Sequence, residues 1–346
     1  MYLRNTWYVA ATSQEIDRTL KHLEILGENI VFYRTEAGAP VALEDACPHR
    51  KLPLSMGRII GDTVECGYHG LTFDCTGSCV AAPTQAGQVP PGAVVRSYPV
   101  ADRWGLVWVW PGDPALADED KIIQIENADN PNWKLVGGDA LTCECNYLYM
   151  TDNLLDPSHV AWVHQTSFAG AGTEDVRLNI KVTDEGALVH RWLENRDPPP
   201  FYGKMVKFKG KCDRLQYYEV RFPSHALNKS VFTPAGTGGD DKNLPDDAYV
   251  MVSYHFMTPI NENATRYHWL QHRNTDPENE EISQVAAEGA RAAFEEDRLV
   301  LSAVHSGLLN KVTPNIDLAL DSAGLRFRRV LDKLISEEQE TAAAAE

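Results

Sequence analysis

The sequence predicts an α+β protein of two domains, a β-rich N-terminal domain followed by a domain that combines an antiparallel sheet with a long helix. Two patterns carry this prediction. Up to about residue 115, short runs of β-branched and aromatic residues alternate with Gly, Pro and Asp turns, as is typical of strands. Beyond that point, three strand-like runs precede a stretch from 280 to 309 in which apolar residues recur at helical spacing. We therefore divide the chain into domains 1–115 and 116–346.

Each element of this division rests on a local signal. In the first domain the runs 30–33, 41–43 and 105–110 predict strands, and the sequence Pro-Gly-Asp-Pro at 111–114 ends the last of them. In the second domain we predict a helix at 153–163, strands at 224–232, 248–257 and 266–273, a surface loop at 234–241 and the helix at 280–309. The tail from residue 337 has good helix formers but no apolar face, so we expect it to fray.

Composition excludes several classes of function. The chain has 346 residues, 43% of them hydrophobic, and a formal net charge of −17. The negative charge argues against nucleic acid as a partner, because phosphate contacts need clustered Lys and Arg. We find no apolar run of membrane-spanning length and no N-terminal secretion signal, so we expect a cytoplasmic protein. Of the seven cysteines, the five outside the motif described next would then be free thiols: Cys75, Cys79, Cys143, Cys145 and Cys212. A local disulfide between Cys75 and Cys79 is conceivable.

The most specific motif consists of two short pairs, Cys47 with His49 and Cys66 with His69, in the pattern C-x-H-x16-C-x-x-H. Two thiolates and two imidazoles in paired positions suit a [2Fe–2S] cluster whose cysteines bind one iron and whose histidines bind the other. Neutral imidazoles make such a cluster less negative and raise its reduction potential. Structural zinc is the alternative, but its ligands more often come as Cys–Cys and His–His pairs. The spacing therefore favours the cluster.

With this motif the chain resembles the Rieske non-heme iron aromatic-ring oxygenases over most of its length. The resemblance also rests on RNTWYVA at 4–10, VWVWPGD at 107–113 and DNLLD at 152–156. It is closest to the group of vanillate O-demethylase, dicamba O-demethylase and toluenesulfonate methyl-monooxygenase. The resemblance implies an N-terminal Rieske domain and a helix-grip (START-like) catalytic domain that holds mononuclear Fe(II) and uses O2 as co-substrate.

A second metal site is predicted by His159 and His164, which form an H-x4-H pair in the second domain. Two imidazoles and one carboxylate on one face of iron make the facial triad of non-heme Fe(II) oxygenases, which leaves positions open for dioxygen. Two histidines at this spacing are often a coincidence. The cluster motif upstream and the family resemblance, which places D-x2-H-x4-H here, both favour the metal.

The third ligand is expected from the long helix, where Glu296 and Asp297 interrupt an apolar stripe. Phe294 and Val300 flank Asp297 at a spacing of three, which directs Asp297 toward the core. A buried carboxylate is paired or metal-bound, so the alternative is a buried salt bridge to Arg273 or Arg291. The resemblance favours Asp297 as the ligand. Glu296 remains the second choice.

The resemblance gives Asp156 and Asn153 other roles near this iron. In proteins of the family the equivalent aspartate bridges a ligand histidine to a cluster histidine across a subunit boundary, which here would join His159 to His69 of a neighbouring chain. A carboxylate that accepts the N–H of a metal-bound imidazole fixes its tautomer. The alternative for Asp156, which precedes Pro157, is a carboxylate at a helix N-terminus. Asn153 is expected beside the iron without binding it.

Substrate contacts are expected from the predicted strands, where Asn228 and His255 align by resemblance with residues that contact substrate in the dicamba-type enzyme. An asparagine amide donates to a carboxylate or ether oxygen, and a histidine donates and adds charge if it is protonated. Polar residues on strands are also commonly just the exposed face of a sheet, and this alternative stays open.

Together these features predict the terminal oxygenase of a multicomponent aromatic monooxygenase. It would receive electrons from an NAD(P)H-dependent ferredoxin-type reductase, hydroxylate a methyl or methoxy group of an aromatic acid, and assemble as a homotrimer. Ring cis-dihydroxylation uses the same metals and remains an alternative. Two rivals from other classes are a Rieske electron carrier and a ligand-binding helix-grip module. The iron content would separate these rivals from the oxygenase, with about three irons per chain for the oxygenase and two for the carrier.

Overall fold

A computed structural model describes residues 1–165, 168, 176–239 and 242–345 of the chain. It divides into two compact units, described separately below. The first comprises Met1–Gln124, the short piece Thr258–Glu262 and the chain from Glu337 on, and the second comprises Ile125–Met257 and Asn263–Ser336. Within the loop expected at 234–241, residues 240 and 241 lie outside the described part. The division into 1–115 and 116–346 stays a prediction.

The first unit is built of small antiparallel sheets, as the turn-punctuated sequence predicts. The strand orders are β1-β11-β10, β2-β3-β4-β9 and β5-β6-β7-β8. The strands are β1 (Tyr8–Thr12), β2 (Lys21–Ile25), β3 (Glu28–Arg34), β4 (Pro40–Glu44), β5 (Arg58–Ile60), β6 (Thr63–Glu65), β7 (Thr72–Phe73), β8 (Cys79–Ala81), β9 (Ser97–Tyr98), β10 (Val100–Arg103) and β11 (Leu106–Val109). The runs predicted at 30–33 and 41–43 lie in β3 and β4, and the run predicted at 105–110 contains β11.

Two apolar clusters form the core of this unit. One packs β1, β3 and β11 through side chains such as Tyr8, Phe32 and Val107. The other contains both Cys47 and Cys66 among residues such as Leu54 and Phe73. The cysteines of the predicted cluster are therefore part of a packed core, where their positions are fixed by close packing.

The second unit is organised around one seven-stranded antiparallel sheet with the order β12-β18-β17-β16-β15-β14-β13. Its strands are β12 (Lys134–Cys143), β13 (Asn179–Val182), β14 (Gly186–Arg196), β15 (Cys212–Arg221), β16 (His225–Pro234), β17 (Tyr249–Asn261) and β18 (Ala264–Arg273). The three predicted strands correspond to β16, β17 and β18. β12 to β15 were not predicted, and they extend the sheet on both sides of that trio.

The described residues also form four α-helices: α1 (Tyr147–Leu154), α2 (Val160–Val163), α3 (Glu280–Leu309) and α4 (Ser322–Ala345). The limits of α3 agree with the prediction, and Asn279 caps its start by accepting the N–H groups of Glu281 and Ile282 at 3.0 and 3.2 Å. Within the described part of the chain, no helix is long and apolar enough to cross a membrane.

Two helix predictions were wrong. The single helix expected at 153–163 is broken into α1 and α2, because Pro157 lacks an N–H and disfavours helical backbone at the residue before it. The tail expected to fray from residue 337 is the last part of α4. Glu338 holds it in the first unit by accepting the backbone N–H groups of Arg4 and Asn5, each at 2.7 Å.

Candidate metal centres and substrate cavity

The two loops that carry the cluster motif have the same backbone hydrogen bonds. In each, the cysteine N–H donates to the carbonyl five residues on, and the cysteine carbonyl accepts from the N–H four residues on. These bonds are Cys47 N to Leu52 O (2.9 Å), Lys51 N to Cys47 O (2.8 Å), Cys66 N to Leu71 O (2.8 Å) and Gly70 N to Cys66 O (3.1 Å). The repeated turn presents two cysteines from equivalent positions.

The fourth residue after each cysteine has a left-handed backbone, with φ of 59° at Lys51 and 75° at Gly70. Such a backbone favours glycine. At Gly70 a side chain is also excluded by packing, because a Cβ atom there would lie 2.7 Å from Cγ of Pro83. The glycine next to His69 is therefore required by the shape of the loop.

The four side chains of the motif divide between core and surface. Cys47 and Cys66 are both buried at 2% exposure, whereas His49 is exposed and His69 half-buried, with ring centroids 4.6 Å apart. Burial, followed by the nearby Cys66 thiol, raises the pKa of Cys47. Two adjacent buried thiolates need a positive charge between them. This donor set, with thiols inside and imidazoles outside, fits a cluster held by two cysteines and two histidines.

The second predicted centre is also brought together by the fold. The ligand atoms of His159, His164 and Asp297 all lie within 4.8 Å of one another. Nε2 of His164 is 3.2 Å and Nε2 of His159 is 3.6 Å from Oδ1 of Asp297. Asp297 is 8% exposed, and no hydrogen bond satisfies its buried Oδ1 atom. Two imidazoles and one carboxylate converging in this way fit a facial triad.

The outer nitrogen of each imidazole has its own acceptor. Nδ1 of His164 lies 2.7 Å from a carboxylate oxygen of Glu296, and Nδ1 of His159 bonds the backbone carbonyl of Asp156. With the proton on Nδ1 in both rings, both Nε2 lone pairs point toward the shared position. Metal-binding histidines are commonly oriented by such outer partners.

The electrostatics of this group favour a cation. Burial alone would lower the pKa of His164, but Asp297 and Glu296 reverse this effect and raise it. The alternative of a buried salt bridge to Arg273 is excluded, because Arg273 donates to the carbonyls of Thr275, Asp276 and Asn279. Among the described residues, the ion-pair partners of Asp297 are the two histidines.

The position of Asp297 follows from the phase of α3. The buried face of this helix includes Phe294, Asp297 and Leu301, at the spacing of one helix face. Val300, expected above to share the core-facing stripe with Phe294, is 41% exposed, so that part of the prediction was wrong, and Val304 one turn further on is 43% exposed. The inward direction of Asp297 nevertheless agrees with the prediction.

Asp156 differs from the expectation that its carboxylate accepts the N–H of His159. The carboxylate instead accepts the backbone N–H of Ser158 at 2.8 Å, and the backbone carbonyl of Asp156 receives the histidine. The two acceptors of Asp156 have changed places because of the turn after Pro157. This turn brings the Asp156 carbonyl to the His159 ring and the Asp156 carboxylate to the backbone N–H groups that no helix satisfies. Nδ2 of Asn153 lies 3.4 Å from Nε2 of His159, beside the predicted metal.

A cavity opens on the side of the triad that faces the sheet, and it contains about 560 Å³ of space, part of it open to solvent. Asn228 and His255 both line it. The full lining consists of Leu154, His159, Val160, His164, Phe168, Tyr202, Arg214, Tyr218, Asn228, Ser230, Met251, Ser253, His255, Gln271, Ala293, Phe294 and Asp297.

Several polar atoms in this lining are buried without a hydrogen-bond partner. They are Arg214 Nε, Asn228 Oδ1, His255 Nε2, Gln271 Nε2 and Oε1, and Asp297 Oδ1. Buried polar groups are normally satisfied, so a concentration of unsatisfied ones in one cavity indicates a polar ligand. The alternative of an exposed sheet face does not hold for His255, which is 1% exposed.

The environment of His255 decides whether this histidine adds charge. Burial lowers the pKa of His255 to about 3, and the nearby Asp297 opposes this shift only in part. The imidazole is therefore neutral at neutral pH. Its Nδ1 lies 2.6 Å from the hydroxyl of Tyr267. If Tyr267 donates this bond, His255 Nε2 carries the proton and can donate to a ligand.

Other residues of the site were not predicted as such. Glu296 was considered only as a ligand, and Arg214 and Gln271 were not considered. The signal for Arg214 is present in the sequence, because Arg214, Gln216 and Tyr218 alternate with residues of the opposite face along β15. All seven cysteines, including Cys75 and Cys79, are free thiols.

Comparison with family models agrees with both parts of the chain. The model described as "Rieske [2Fe-2S] domain" matches residues 6–99, and the one described as "Vanillate O-demethylase oxygenase C-terminal domain" matches residues 143–337. The chain is 37% identical to the toluene-4-sulfonate monooxygenase system iron-sulfur subunit of Comamonas testosteroni, covering 98% of both chains. It is 36% identical to the vanillate O-demethylase oxygenase subunit of a Pseudomonas species, covering 100% of this chain and 98% of that one.

A solved structure extends the comparison to the fold. Dicamba monooxygenase with non-heme iron and dicamba superposes with a TM-score of 0.80 at 29% identity, covering 99% of this chain and 98% of the other. The names of these proteins describe an oxygenase or one part of a multicomponent oxygenase system. The predicted fold class and the predicted pair of iron cofactors are both confirmed by these findings.

Proposed function

Because the chain belongs to the Rieske non-heme iron oxygenases, as an oxygenase component related to vanillate O-demethylase, we propose that it hydroxylates a methyl or methoxy carbon of an aromatic acid. A hydroxylated methoxy group collapses to formaldehyde and a phenol. The observation that carries the proposal is the convergence of His159, His164 and Asp297 at a cavity with unsatisfied polar groups. An NAD(P)H-dependent ferredoxin-type reductase would be the electron donor.

Each metal is assigned its own set of residues in this proposal. Cys47, His49, Cys66 and His69 hold the [2Fe–2S] cluster, and His159, His164 and Asp297 hold mononuclear Fe(II). When bound, the cluster supplies electrons and the iron supplies the activation of dioxygen.

The remaining residues of the cavity bind the substrate and keep water away. Neutral His255 and Asn228 supply hydrogen bonds to substrate oxygens. The apolar wall on the side of the metal ligands is formed by Leu154, Val160 and Phe294. An aromatic ring held against this wall excludes water from the reacting carbon. Asn153 limits the space beside His159.

The assembly proposed from the family resemblance is a closed ring of three chains. In such a ring Asp156 lies between His159 of its own chain and His69 of the next chain. Contacts of this head-to-tail kind must close to avoid filaments. In this arrangement the backbone carbonyl of Asp156 holds His159, one carboxylate oxygen accepts the N–H of Ser158, and the other carboxylate oxygen would accept from His69 of the next chain.

Turnover with a panel of aromatic acids tests the function. The purified oxygenase, supplied with a ferredoxin-type reductase, NADH and Fe(II), is assayed with methoxybenzoates, toluenesulfonate and phthalates for oxygen uptake and product. Formaldehyde with a phenol, or a benzylic alcohol, supports the proposal. A cis-dihydrodiol would identify ring dihydroxylation instead. Reduction of the cluster without substrate-dependent oxygen uptake across the panel would identify an electron carrier.

A further inference from the structure

The cavity wall contains a buried cation that none of the assignments above uses. Arg214 lies on β15 and is 3% exposed. Its Nη1 donates to the carbonyl of Phe168 at 3.3 Å, and its guanidinium carbon lies 5.4 Å from the ring of Tyr202 and 5.3 Å from that of Phe232. Its Nε has no acceptor. Because its contacts are one carbonyl and two aromatic faces, most of the five N–H donors of the guanidinium are unused.

No carboxylate among the described residues neutralises this charge. The neighbouring Asp213 is on the opposite face of the strand and accepts the N–H groups of Asn195, Gly236 and Gly238 at 2.8 to 2.9 Å. Asp297, which also lines the cavity, faces His159 and His164. A buried charge without a partner is costly, so an arginine with no carboxylate partner in the described part of the chain suits an anion that arrives from outside it.

The sheet register separates Arg214 from the other polar residues of the cavity. Tyr218 pairs with Asn228, whereas Arg214, four residues earlier on β15, pairs with Phe232. At roughly 3.4 Å per residue, the two positions are about 14 Å apart along the strand. Asn228 and Arg214 therefore contact different parts of a bound molecule.

A continuous row of aromatic rings joins Arg214 to the metal ligands. The ring of Tyr202, which packs near the guanidinium, is 5.7 Å from the ring of Phe168, and that ring is 6.1 Å from the ring of His164. A planar apolar molecule placed along this row would have one end at the guanidinium and the other at the triad. Aromatic side chains of this kind suit an aromatic ligand.

We propose that Arg214 binds the anionic group of the substrate, a carboxylate or a sulfonate, and thereby directs the opposite end of the aromatic ring toward His159, His164 and Asp297. This inference rests on the proposed function and specifies which residue selects acids as substrates. The guanidinium fork matches the paired oxygens of both anions, which a lysine ammonium does not. Asn228 and His255, both uncharged, then contact the substrate away from its anionic group.

The test measures binding to the iron-loaded protein without turnover, so it does not depend on the reaction. Calorimetric dissociation constants are compared for benzoate against benzamide and for benzenesulfonate against benzenesulfonamide. We expect the wild-type protein to bind at least one acid about ten- to a hundredfold more tightly than its neutral amide, the range for hydrogen bonds to a charged group. Arg214→Gln should abolish this preference, and Arg214→Lys should retain part of it. The acid with the larger preference identifies the anion.

A matched control lies on the same strand. Arg221 forms an ion pair with Glu219 at 2.6 Å and is on the opposite face of β15 from Arg214, so Arg221→Gln should keep the wild-type preference. An unchanged preference in Arg214→Gln, or equal affinity of the wild-type protein for acids and amides, would overturn the proposal. Neither result bears on oxygen uptake, which tests the function separately.

Stability distinguishes substrate binding from a structural role. Replacing an unpaired buried charge by an apolar side chain of similar volume is often neutral or stabilising. The thermal midpoint of substrate-free Arg214→Met should therefore equal or exceed that of the wild type. A midpoint several degrees lower, together with an intact preference for acids in this variant, would show that Arg214 supports the fold instead.

Discussion

Glu296 offers the sharpest test of the triad, because it separates a residue that orients a ligand from the ligand itself. Its carboxylate lies 2.7 Å from Nδ1 of His164, while the adjacent Asp297 faces Nε2 of the same ring. Replacing Glu296 by Ala leaves Nδ1 without its acceptor but keeps all three ligand atoms. We expect the mononuclear iron to bind more weakly, not to be lost.

The size of the effect follows from the exposure of Glu296. Loss of an outer partner of a metal-binding histidine typically costs 10- to 100-fold in affinity. The Glu296 side chain is 39% exposed, so water can replace part of its bond, and we expect about tenfold, the low end of that range. Glu296→Gln should lose less, because an amide oxygen also accepts an N–H.

The assay is a competition between the protein and a chelator for Fe(II), with the visible spectrum of the cluster as an internal reference. Glu295→Ala is the control on the same helix turn, since Glu295 pairs with Arg298 at 2.5 Å and, within the described part of the chain, has no hydrogen bond to His164. That variant should bind iron as the wild type does. Asp297→Ala should retain the cluster spectrum and lose mononuclear iron.

Two results would refute this reasoning. Wild-type iron affinity in Glu296→Ala would show that the bond to His164 does not orient the ring. Complete loss of mononuclear iron in Glu296→Ala, with retention in Asp297→Ala, would make Glu296 the ligand and reverse the assignment.

Three further predictions concern the cluster, the proposed subunit contact and the cavity. Cys47→Ser should abolish the visible and paramagnetic signals of the cluster while mononuclear iron remains, and an unchanged spectrum would contradict the ligand assignment. Asp156→Asn should keep both metals and the trimer, since an amide oxygen can still accept the N–H of Ser158. The variant should nevertheless transfer electrons more slowly in single-turnover measurements. A wild-type transfer rate in the variant, or activity of a monomeric wild-type protein, would oppose the subunit bridge. The pKa of His255 is about 3 in the folded chain and about 6.5 in the unfolded chain. As the pH falls below about 6.5, the unfolded chain therefore binds a proton that the folded chain does not, and the folded state loses stability. Denaturation at pH 7 and pH 5 should show the wild type losing about 2 kcal/mol more than His255→Gln, and equal losses would mean that the histidine is not buried neutral.

The ligand sets could be proposed from the sequence because six of the seven candidate ligands lie in short motifs, whereas Asp297 was chosen by the family resemblance. The cluster motif places each histidine two or three residues after a cysteine, and His159 and His164 lie within one turn and a half of each other. Such local patterns fix relative positions before any packing is known. Their chemistry was therefore accessible without the fold.

Other features depend on long-range packing and were missed. The apolar residues Val300 and Val304 resemble core residues in sequence, and only the packing of α3 shows that Leu301 is the buried one. The tail looked unable to form a stable helix by itself, and its order depends on contacts between Glu338 and the N-terminal segment, more than three hundred residues away. Helix propensity cannot report such contacts.

Arg214 illustrates a different limit. Alternation along β15 indicates which face the side chain occupies, but a strand pattern does not say whether an arginine has a carboxylate opposite it. That no carboxylate among the described residues faces Arg214 follows only from the three-dimensional lining of the cavity. The same applies to the pairing of His255 with Tyr267 and to the resulting neutral imidazole.

In the second unit the candidate metal ligands and the candidate substrate contacts come from different kinds of element, which affects how such an enzyme can acquire new substrates. His159, His164 and Asp297 come from the ends of α2 and from α3, whereas Arg214, Asn228 and His255 come from β15, β16 and β17. Mutations can therefore accumulate on the strands without disturbing the atoms that we propose as iron ligands. A library restricted to cavity-facing strand positions should yield changed substrate ranges among clones that still load metal. The scaffold thus allows new substrates to be acquired while the chemistry is inherited unchanged.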